Sequence, residues 1–230
     1  TAQVVALTSA QLNALDSDQT QAIETADLAV LTSSQLAAGL TISNIVGLTT
    51  TQVRSLLSSS LNLLETRDVS ALLSQQVASL STSQIAGLDG TRISALSTAN
   101  VVGLTTDAIG AIPLNRLSAI ESVDFASLSS SQMAGFTSAQ IQLIANDPAY
   151  GSLIGALNSA NVKGLTTQQL ALFTKVSGLT TASIAGLLKE QVASLSTTQV
   201  FPALSLVYLA MLPPFPAIQF QVFYLDRLQL

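Results

Sequence analysis

The sequence predicts an all-α solenoid of short capped helices, built from repeats of eight residues. Three observations predict this fold. A large apolar residue recurs at every eighth position, a second apolar residue follows five positions after each one, and Ser or Thr followed three residues later by Gln recurs between them. An irregular or strand-like apolar segment is expected to follow the repeats at 201–230.

The two apolar series define the repeat, which we call the octad. The first series contains no polar residue over its central run: Leu40, Leu48, Leu56, Leu64, Leu72, Leu80, Leu88, Leu96, Leu104, Ile112, Ile120, Leu128, Phe136 and Ile144. The second series is equally unbroken: Ile45, Val53, Leu61, Val69, Val77, Ile85, Ile93, Val101, Ile109, Leu117, Phe125, Met133 and Ile141. The residue before each member of the first series is mostly small, which indicates close approach of two backbones.

The polar residues of the octad predict a helix start. In residues 48–55, Thr49 and Gln52 have the spacing of a capping box, in which each side chain bonds the other's backbone N–H. Leu48 and Val53 then flank that start as a hydrophobic staple does. The same polar pair recurs at Thr8/Gln11, Thr32/Gln35, Ser81/Gln84, Ser129/Gln132, Thr137/Gln140, Thr166/Gln169 and Ser196/Gln199. Where Ser or Thr is missing, residues favoured in a first helical turn often replace it: Asp16, Glu24, Glu65, Asp89, Pro113 and Glu121.

A β-solenoid is the alternative fold, because Thr, Val and Ile favour strands. Apolar residues five and then three positions apart would fall on opposite faces of a continuous strand across each five-residue step. Each octad would therefore need a bend. A single long helix is excluded, since eight residues advance the apolar face by about 80° per repeat. One octad alone buries too little apolar surface to offset its lost backbone entropy, so the octads must stack on one another.

The octads divide the chain into four segments. Residues 1–144 are expected to form a solenoid, in which one added residue near Gly39 shifts the register. Residues 145–156 contain turn-forming residues and predict a loop or bend. The octads resume over 157–200, and 201–230 forms a separate segment that lacks them.

The composition excludes most catalytic chemistry. The 230 residues include no His, no Cys and no Trp, and the net charge is −5. The commonest general base, the thiol nucleophile and the usual zinc and haem ligands are therefore missing. The eight basic residues are scattered, so no basic patch is expected to bind nucleic acid. We expect no enzymatic activity, no catalytic residues, no cofactor and no metal site.

Three groups of residues could be assigned a specific binding or catalytic function instead of a structural one. Asp16, Asp18, Glu24 and Asp27 suggest a calcium site but lack the Gly-containing calcium loop, so helix starts are favoured. The carboxylate pairs suggest acid and base catalysis but occupy the places of Thr and Gln, which favours capping: Glu65/Asp68 and Glu121/Asp124. Repeated Thr pairs suggest ice binding, a distant alternative because other residues interrupt the cap place: Asp16, Glu24, Leu57, Leu73 and Pro113.

The segment 201–230 differs from the octads in composition. It carries four of the six prolines, which make a regular transmembrane helix improbable. Residues 218–222 alternate as a strand with one apolar face does. The segment is expected either to cap the solenoid or to dock on the next subunit, and its aromatic residues are the hypothetical assembly residues: Phe201, Tyr208, Phe215, Phe220, Phe223 and Tyr224.

The octads resemble the L-[ST]-[ST]-x-Q-[IV]-x-x-L repeats of large secreted bacterial surface proteins of the adhesin-like or haemagglutinin-like kind. Three stretches carry the likeness: residues 48–56 (LTTTQVRSL), 80–88 (LSTSQIAGL) and 179–187 (LTTASIAGL). The resemblance implies an extracellular or cell-surface bacterial protein that takes part in attachment, matrix or filament formation. The haem-utilisation label that such proteins also carry finds no support here, because His and Cys are absent and only two Met are present.

These observations lead to one expected function and one alternative. The expected function is a structural repeat protein that assembles with copies of itself into a filament, sheath or matrix, with a cell surface or matrix as a further partner. The alternative is a stalk that spaces a distant binding domain of a giant adhesin from the cell. Residues 3–7 match only the back half of an octad, so the natural polypeptide is expected to extend upstream.

Overall fold

The computed structural model describes residues 2–174, 176 and 178–200, and all regular structure in these residues is helical. The described part of the chain contains no strand. The predicted all-α fold of short helices is therefore confirmed, and the β-solenoid alternative is wrong. The predicted assembly segment 201–230 lies outside the described residues.

The chain divides into two compact units, Thr1–Leu128 and Ser129–Leu230. The sequence predicts one continuous solenoid through residue 144 and gives no signal at this division. The first unit contains fourteen short α-helices among its described residues: α1 (Ala2–Val5), α2 (Ser9–Asn13), α3 (Ser17–Gln21), α4 (Thr25–Leu28), α5 (Ser33–Gly39), α6 (Ile42–Ile45), α7 (Thr50–Ser55), α8 (Ser58–Leu61), α9 (Thr66–Ala71), α10 (Ser74–Ala78), α11 (Thr82–Gly87), α12 (Gly90–Ser94), α13 (Thr106–Gly110) and α14 (Ser122–Ser127).

The second unit continues with helices of the same kind. They are α15 (Ser130–Met133), α16 (Ser138–Asn146), α17 (Gly151–Gly155), α18 (Thr167–Leu170), α19 (Thr181–Ala185), α20 (Lys189–Ala193) and α21 (Thr197–Val200). Among the described residues, four further segments form 3-10 helices, two in the first unit and two in the second: Val101–Gly103, Leu114–Ala119, Pro148–Tyr150 and Val162–Gly164.

The predicted capping boxes begin these helices. In α7 the N-cap Thr49 is extended (φ −68°, ψ 158°), the Gln52 N–H donates to Thr49 Oγ1 at 3.2 Å, and the Thr49 N–H donates to Gln52 Oε1 at 2.7 Å. All eight boxes predicted from Ser or Thr with Gln are present, which confirms them. Asp16 and Asp89 also cap helices through their side chains. Asp16 is thus a helix start, as the sequence favours.

The two apolar series form the core of each unit. Leu48 and Val53, the staple pair of the octad at 48–55, are both buried, and the same holds for most members of both series. Because all of these helices except α16 are only one or two turns long, each presents a single apolar stripe. The core is therefore built by many octads, each of which contributes two or three side chains.

The chain returns alongside itself after three octads. Within the first unit, α10 packs against the 3-10 helix Val101–Gly103, and α8 packs against α11. Gly103 and Gly87, the small residues before Leu104 and Leu88, sit at these crossings, where an added Cβ would overlap Ser74 and Ser58 respectively. The close backbone approach predicted from the small residues is thus observed between octads three apart.

Residues 145–156 are helical and not the loop that the sequence predicts. They contain the end of α16, the 3-10 helix Pro148–Tyr150 and all of α17. Asp147 Oδ1 accepts a hydrogen bond from the Ala149 N–H at 2.9 Å, and Pro148 stands at the first helical position. Asp and Pro therefore begin a new helix here, a role that these residues fill as readily as a turn.

The crossing at Gly103 yields a stability prediction. Gly103→Ala should lower the free energy of unfolding by about 1–3 kcal/mol, because a rigid main-chain carbonyl occupies the place of the new methyl group. Gly90→Ala is the matched control in the same unit, since its Cβ would lie 3.7 Å from Ala119 Cβ, an ordinary contact. Urea unfolding followed by circular dichroism measures both, and equal stability of the two variants would contradict the close crossing.

Candidate functional site

The fifth residue of each octad, counted from the residue of the first apolar series, is the most constrained polar position of the fold. We call these residues the fifth-place column. Gln76 shows their geometry. Its Oε1 accepts a hydrogen bond from the Leu73 N–H at 2.7 Å, while its Nε2 donates to the carbonyl oxygens of Ile45 at 2.8 Å and Leu48 at 2.7 Å. One carboxamide thus caps the start of its own helix. It also bonds the stretch of chain that lies 28–31 residues earlier, which we call the preceding turn of octads.

The same arrangement recurs along both units. Gln52 donates to Ile23, Gln84 to Val53 and Leu56, and Gln199 to Leu170 and Phe173, over distances of 2.6–2.9 Å. Gln35, Gln169 and Gln191 make equivalent bonds, and the acceptors in the column lie 26–33 residues before the donor. The acceptors lie at or just after the C-terminal end of a helix, where carbonyls have no partner within the helix.

Asparagine and arginine replace glutamine at some fifth places. Asn44 Nδ2 donates to the Leu12 carbonyl at 2.9 Å, and Asn100 Nδ2 donates to the Val69 carbonyl at 3.1 Å. Arg92 donates to the Leu64 carbonyl through Nε at 3.0 Å and through Nη2 at 2.6 Å. Arg116 bonds the carbonyls of Ala86 and Leu88. At these places the fold accepts any side chain that donates a hydrogen bond, and not glutamine alone.

Aspartate stands at three fifth places, Asp27, Asp68 and Asp124, and all three are buried. An ionised carboxylate cannot donate a hydrogen bond. Neither carboxylate oxygen of Asp68 makes a hydrogen bond of good geometry with another described residue. Burial raises the pKa of Asp68, an effect that the Ile42 backbone and the Arg67 guanidinium partly oppose. Burial likewise raises the pKa of Asp124.

The two carboxylate pairs stand at helix starts, as the sequence predicts, but their glutamates do not cap the helices through their side chains. Glu65 and Glu121 occupy N-cap positions but make no side-chain cap hydrogen bond. Asp68 and Asp124 point into the interior, because the fifth place faces the preceding turn and not solvent. The exposed Glu65 instead pairs with Arg67, with Oε2 and Nε 2.8 Å apart.

One open cleft lies within the first unit and has a volume of about 450 Å³. Small hydroxyl residues form much of its lining, together with Arg67, Glu121 and Asp124. Ser94 Oγ donates to Glu121 Oε1 at 3.5 Å, and the Glu121 charge adds to burial in raising the pKa of Asp124. The cleft is thus lined by one of the two predicted carboxylate pairs, Glu121/Asp124, and by the Arg67 guanidinium.

The sequence reasoning recognised the glutamines only as helix caps and missed their second bond. A signal was nevertheless present. Gln76 and Gln191 follow Leu73 and Leu188, residues that cannot accept a capping hydrogen bond, so half of the capping box is missing while the glutamine is kept. Arg92 and Arg116 stand at the same fifth place of their octads, where the guanidinium is a stronger hydrogen-bond donor than a carboxamide.

Comparison with protein families supports the repeat. Residues 61–98 match the ALTTAQ repeat family. The chain is a repeat protein. The search of curated proteins and the search of solved structures gave no significant match. Among the described residues, none of the helices combines the length and the apolar character that crossing a membrane requires.

The fifth-place column yields a prediction with an adjacent control. Gln76→Ala should lower the free energy of unfolding by about 2–4 kcal/mol, because it leaves buried backbone groups without partners. Gln75→Ala should change it by less than about 0.5 kcal/mol, since Gln75 is exposed. Urea midpoints of the two variants measure the difference. If the Gln76→Ala protein were as stable as the Gln75→Ala protein, the fifth-place column would make no contribution to stability.

The raised pKa of Asp68 predicts how stability depends on pH. The folded state binds this proton more tightly than the unfolded state, so stability falls as pH rises from the ordinary aspartate pKa to the raised one, and it stays low above that. Asp68→Asn should flatten this fall and stabilise the protein at neutral pH, because the amide can donate as Asn44 does.

Thermal unfolding at acidic and neutral pH measures the effect of Asp68→Asn. Asp107→Asn is the control, since Asp107 is exposed in the first turn of α13. A loss of stability in Asp68→Asn at neutral pH, relative to the original chain, would contradict the prediction.

Proposed function

We propose that this chain is a structural repeat protein that assembles with copies of itself into a filament, sheath or matrix, and that it is not an enzyme. The fifth-place column is the observation that carries the proposal. Its bonds join one turn of octads to the next through backbone carbonyls, which every octad supplies whatever its side chains are. Such an interface is head-to-tail, and head-to-tail interfaces build open polymers when rotation does not close a ring.

The proposed location is extracellular, on or near a bacterial cell. The resemblance of the octads to the repeats of secreted bacterial surface proteins supports it. The absence of cysteine, histidine and tryptophan from the sequence agrees with a scaffold that binds no metal or cofactor through those residues. A cell surface or matrix is the proposed partner besides further copies of the chain.

A stalk is the second candidate, and the regularity of the column favours it. Within each unit, fifth-place side chains bond octads that lie 26–33 residues earlier in the chain, so length can be gained by adding octads without a new kind of interface. In that case the octads hold a distant binding domain away from the cell. The full gene product distinguishes the two candidates, since a stalk would lie in a much longer chain with a separate ligand domain.

Electron microscopy of the purified chain tests assembly. The complete chain should form polymers, and deletion of 201–230 should reduce them if the aromatic residues of that segment take part. Undiminished polymers after the deletion would remove the segment from the proposal, and a monomeric complete chain at every concentration would contradict self-assembly.

A further inference from the structure

One fifth place of the first unit holds a carboxylate that borders the open cleft. Asp124 is only 4% exposed, and it lines the cleft together with Ser94 and Glu121. Its carboxylate makes no hydrogen bond of good geometry with another described residue. An ionised carboxylate offers only acceptors. An acceptor therefore stands where other octads place a carboxamide or guanidinium donor.

The register of the fifth-place column gives Asp124 a backbone carbonyl as its neighbour. Gln84 donates to the Leu56 carbonyl over a separation of 28 residues, and fifth-place donors of neighbouring octads span the same distance along the chain. That separation leads from Asp124 to Leu96, which also lines the cleft, and α14 packs against Val101–Gly103 of the same earlier octad. No described group donates a hydrogen bond to the Leu96 carbonyl. Two oxygen acceptors thus meet between these turns.

Two further oxygen groups border the same part of the cleft. Ser94 Oγ lies 3.5 Å from Glu121 Oε1, and Glu121 occupies the N-cap position of α14, where its side chain caps no helix. After burial, the Glu121 charge is the second cause that raises the pKa of Asp124, so the two carboxylates repel each other. Carboxylate, hydroxyl and carbonyl oxygens are hard ligands of the kind that calcium prefers.

The negative charge of this group is not balanced by the arginine of the cleft. Arg67 lines the cleft, but its Nε lies 2.8 Å from Glu65 Oε2. Glu65 therefore matches the charge of the guanidinium. When ionised, Glu121 and Asp124 keep two negative charges beside a carbonyl, which a divalent cation would balance.

The equivalent aspartate of the other carboxylate pair lacks this arrangement. Both carboxylate oxygens of Asp68 are sealed from solvent. Burial raises the pKa of Asp68, and the Ile42 backbone and the Arg67 guanidinium partly oppose that effect by favouring the charged form. An ion thus has neither a route to Asp68 nor the same uncompensated charge to bind. The comparison singles out the cleft at Asp124.

We propose that this cleft binds one calcium ion between two turns of octads, with the carboxylates of Asp124 and Glu121, the Ser94 hydroxyl and the Leu96 carbonyl as its protein ligands. Water in the open cleft completes the roughly six to eight oxygens that calcium takes. The ion replaces the missing fifth-place donor, because it joins a carboxylate of one turn to a carbonyl of the preceding turn.

The site goes beyond the proposed function and does not depend on self-assembly. With few protein ligands and an open cleft, its Kd should be about 10⁻⁴–10⁻³ M, the range of calcium sites in extracellular modules. The sequence gives no sign of this site, because Ser94 and Leu96 lie in earlier octads than the two carboxylates and meet them only when the turns stack.

Equilibrium dialysis of the complete chain against calcium chloride measures binding directly. The original chain should bind one ion, and Asp124→Asn should weaken its affinity by about tenfold or more, since a charged ligand is lost. Asp107→Asn is the matched control, because it removes the same charge from an exposed place in the first turn of α13. Equal affinities of the two variants would overturn the site.

Thermal unfolding followed by circular dichroism tests whether the ion joins the turns. The new carboxamide of Asp124→Asn can donate to Leu96 as Asn100 does to Val69, so this variant should fold without calcium. Calcium at about 10 mM should raise the Tm of the original chain by about 2–5 °C and leave that of Asp124→Asn unchanged. Glu121→Gln, which removes an exposed ligand that caps no helix, should reduce the rise.

Magnesium chloride at the same concentration is the control for charge screening. Magnesium demands a tighter octahedral geometry and keeps its own water, so it should raise the Tm less than calcium does. An equal rise with both ions would overturn the site, and so would an original chain whose Tm does not respond to calcium.

Discussion

Very short helices impose one constraint on this protein: nearly every backbone polar group belongs to a helix end. An α-helix leaves its first N–H groups and last carbonyls without internal partners, and a helix of four to six residues consists of little else. Packing such helices together buries those groups, and a buried unpaired group costs about 1–3 kcal/mol. The fifth-place carboxamide resolves this conflict, because it accepts from the N-terminal end of its own helix and donates to the C-terminal end of another.

The side chains found in the column follow from that dual role. Glutamine reaches both partners, whereas Arg92 supplies stronger donors but no acceptor, so Asp89 caps its helix instead. Asp68 inverts the pattern, since its carboxylate, when ionised, offers only acceptors to a place that needs donors. The contact between turns is therefore expected to be weakest where aspartate replaces glutamine.

The sequence predicted the helices and the core because both depend on local spacing. Thr49, Gln52, Leu48 and Val53 define a helix start and its staple within six residues, and no long-range information is needed. The partners of Gln76 at Ile45 and Leu48 were not predictable in the same way, because the number of octads per turn depends on how neighbouring helices cross. The helices within 145–156 were not predictable from local residues, because Asp-Pro begins helices as well as turns.

The column also explains how the fold can tolerate so little charge and so few aromatic residues. Turn-to-turn specificity comes from backbone carbonyls spaced by the octad, so it needs neither charged pairs nor shaped aromatic contacts. A carbonyl acceptor is present in every octad whatever its side chains, and substitutions at exposed places leave the register unchanged. In the proposed self-assembly, the same property would leave the interface without an intrinsic end, because one turn of octads presents the same backbone acceptors as the next.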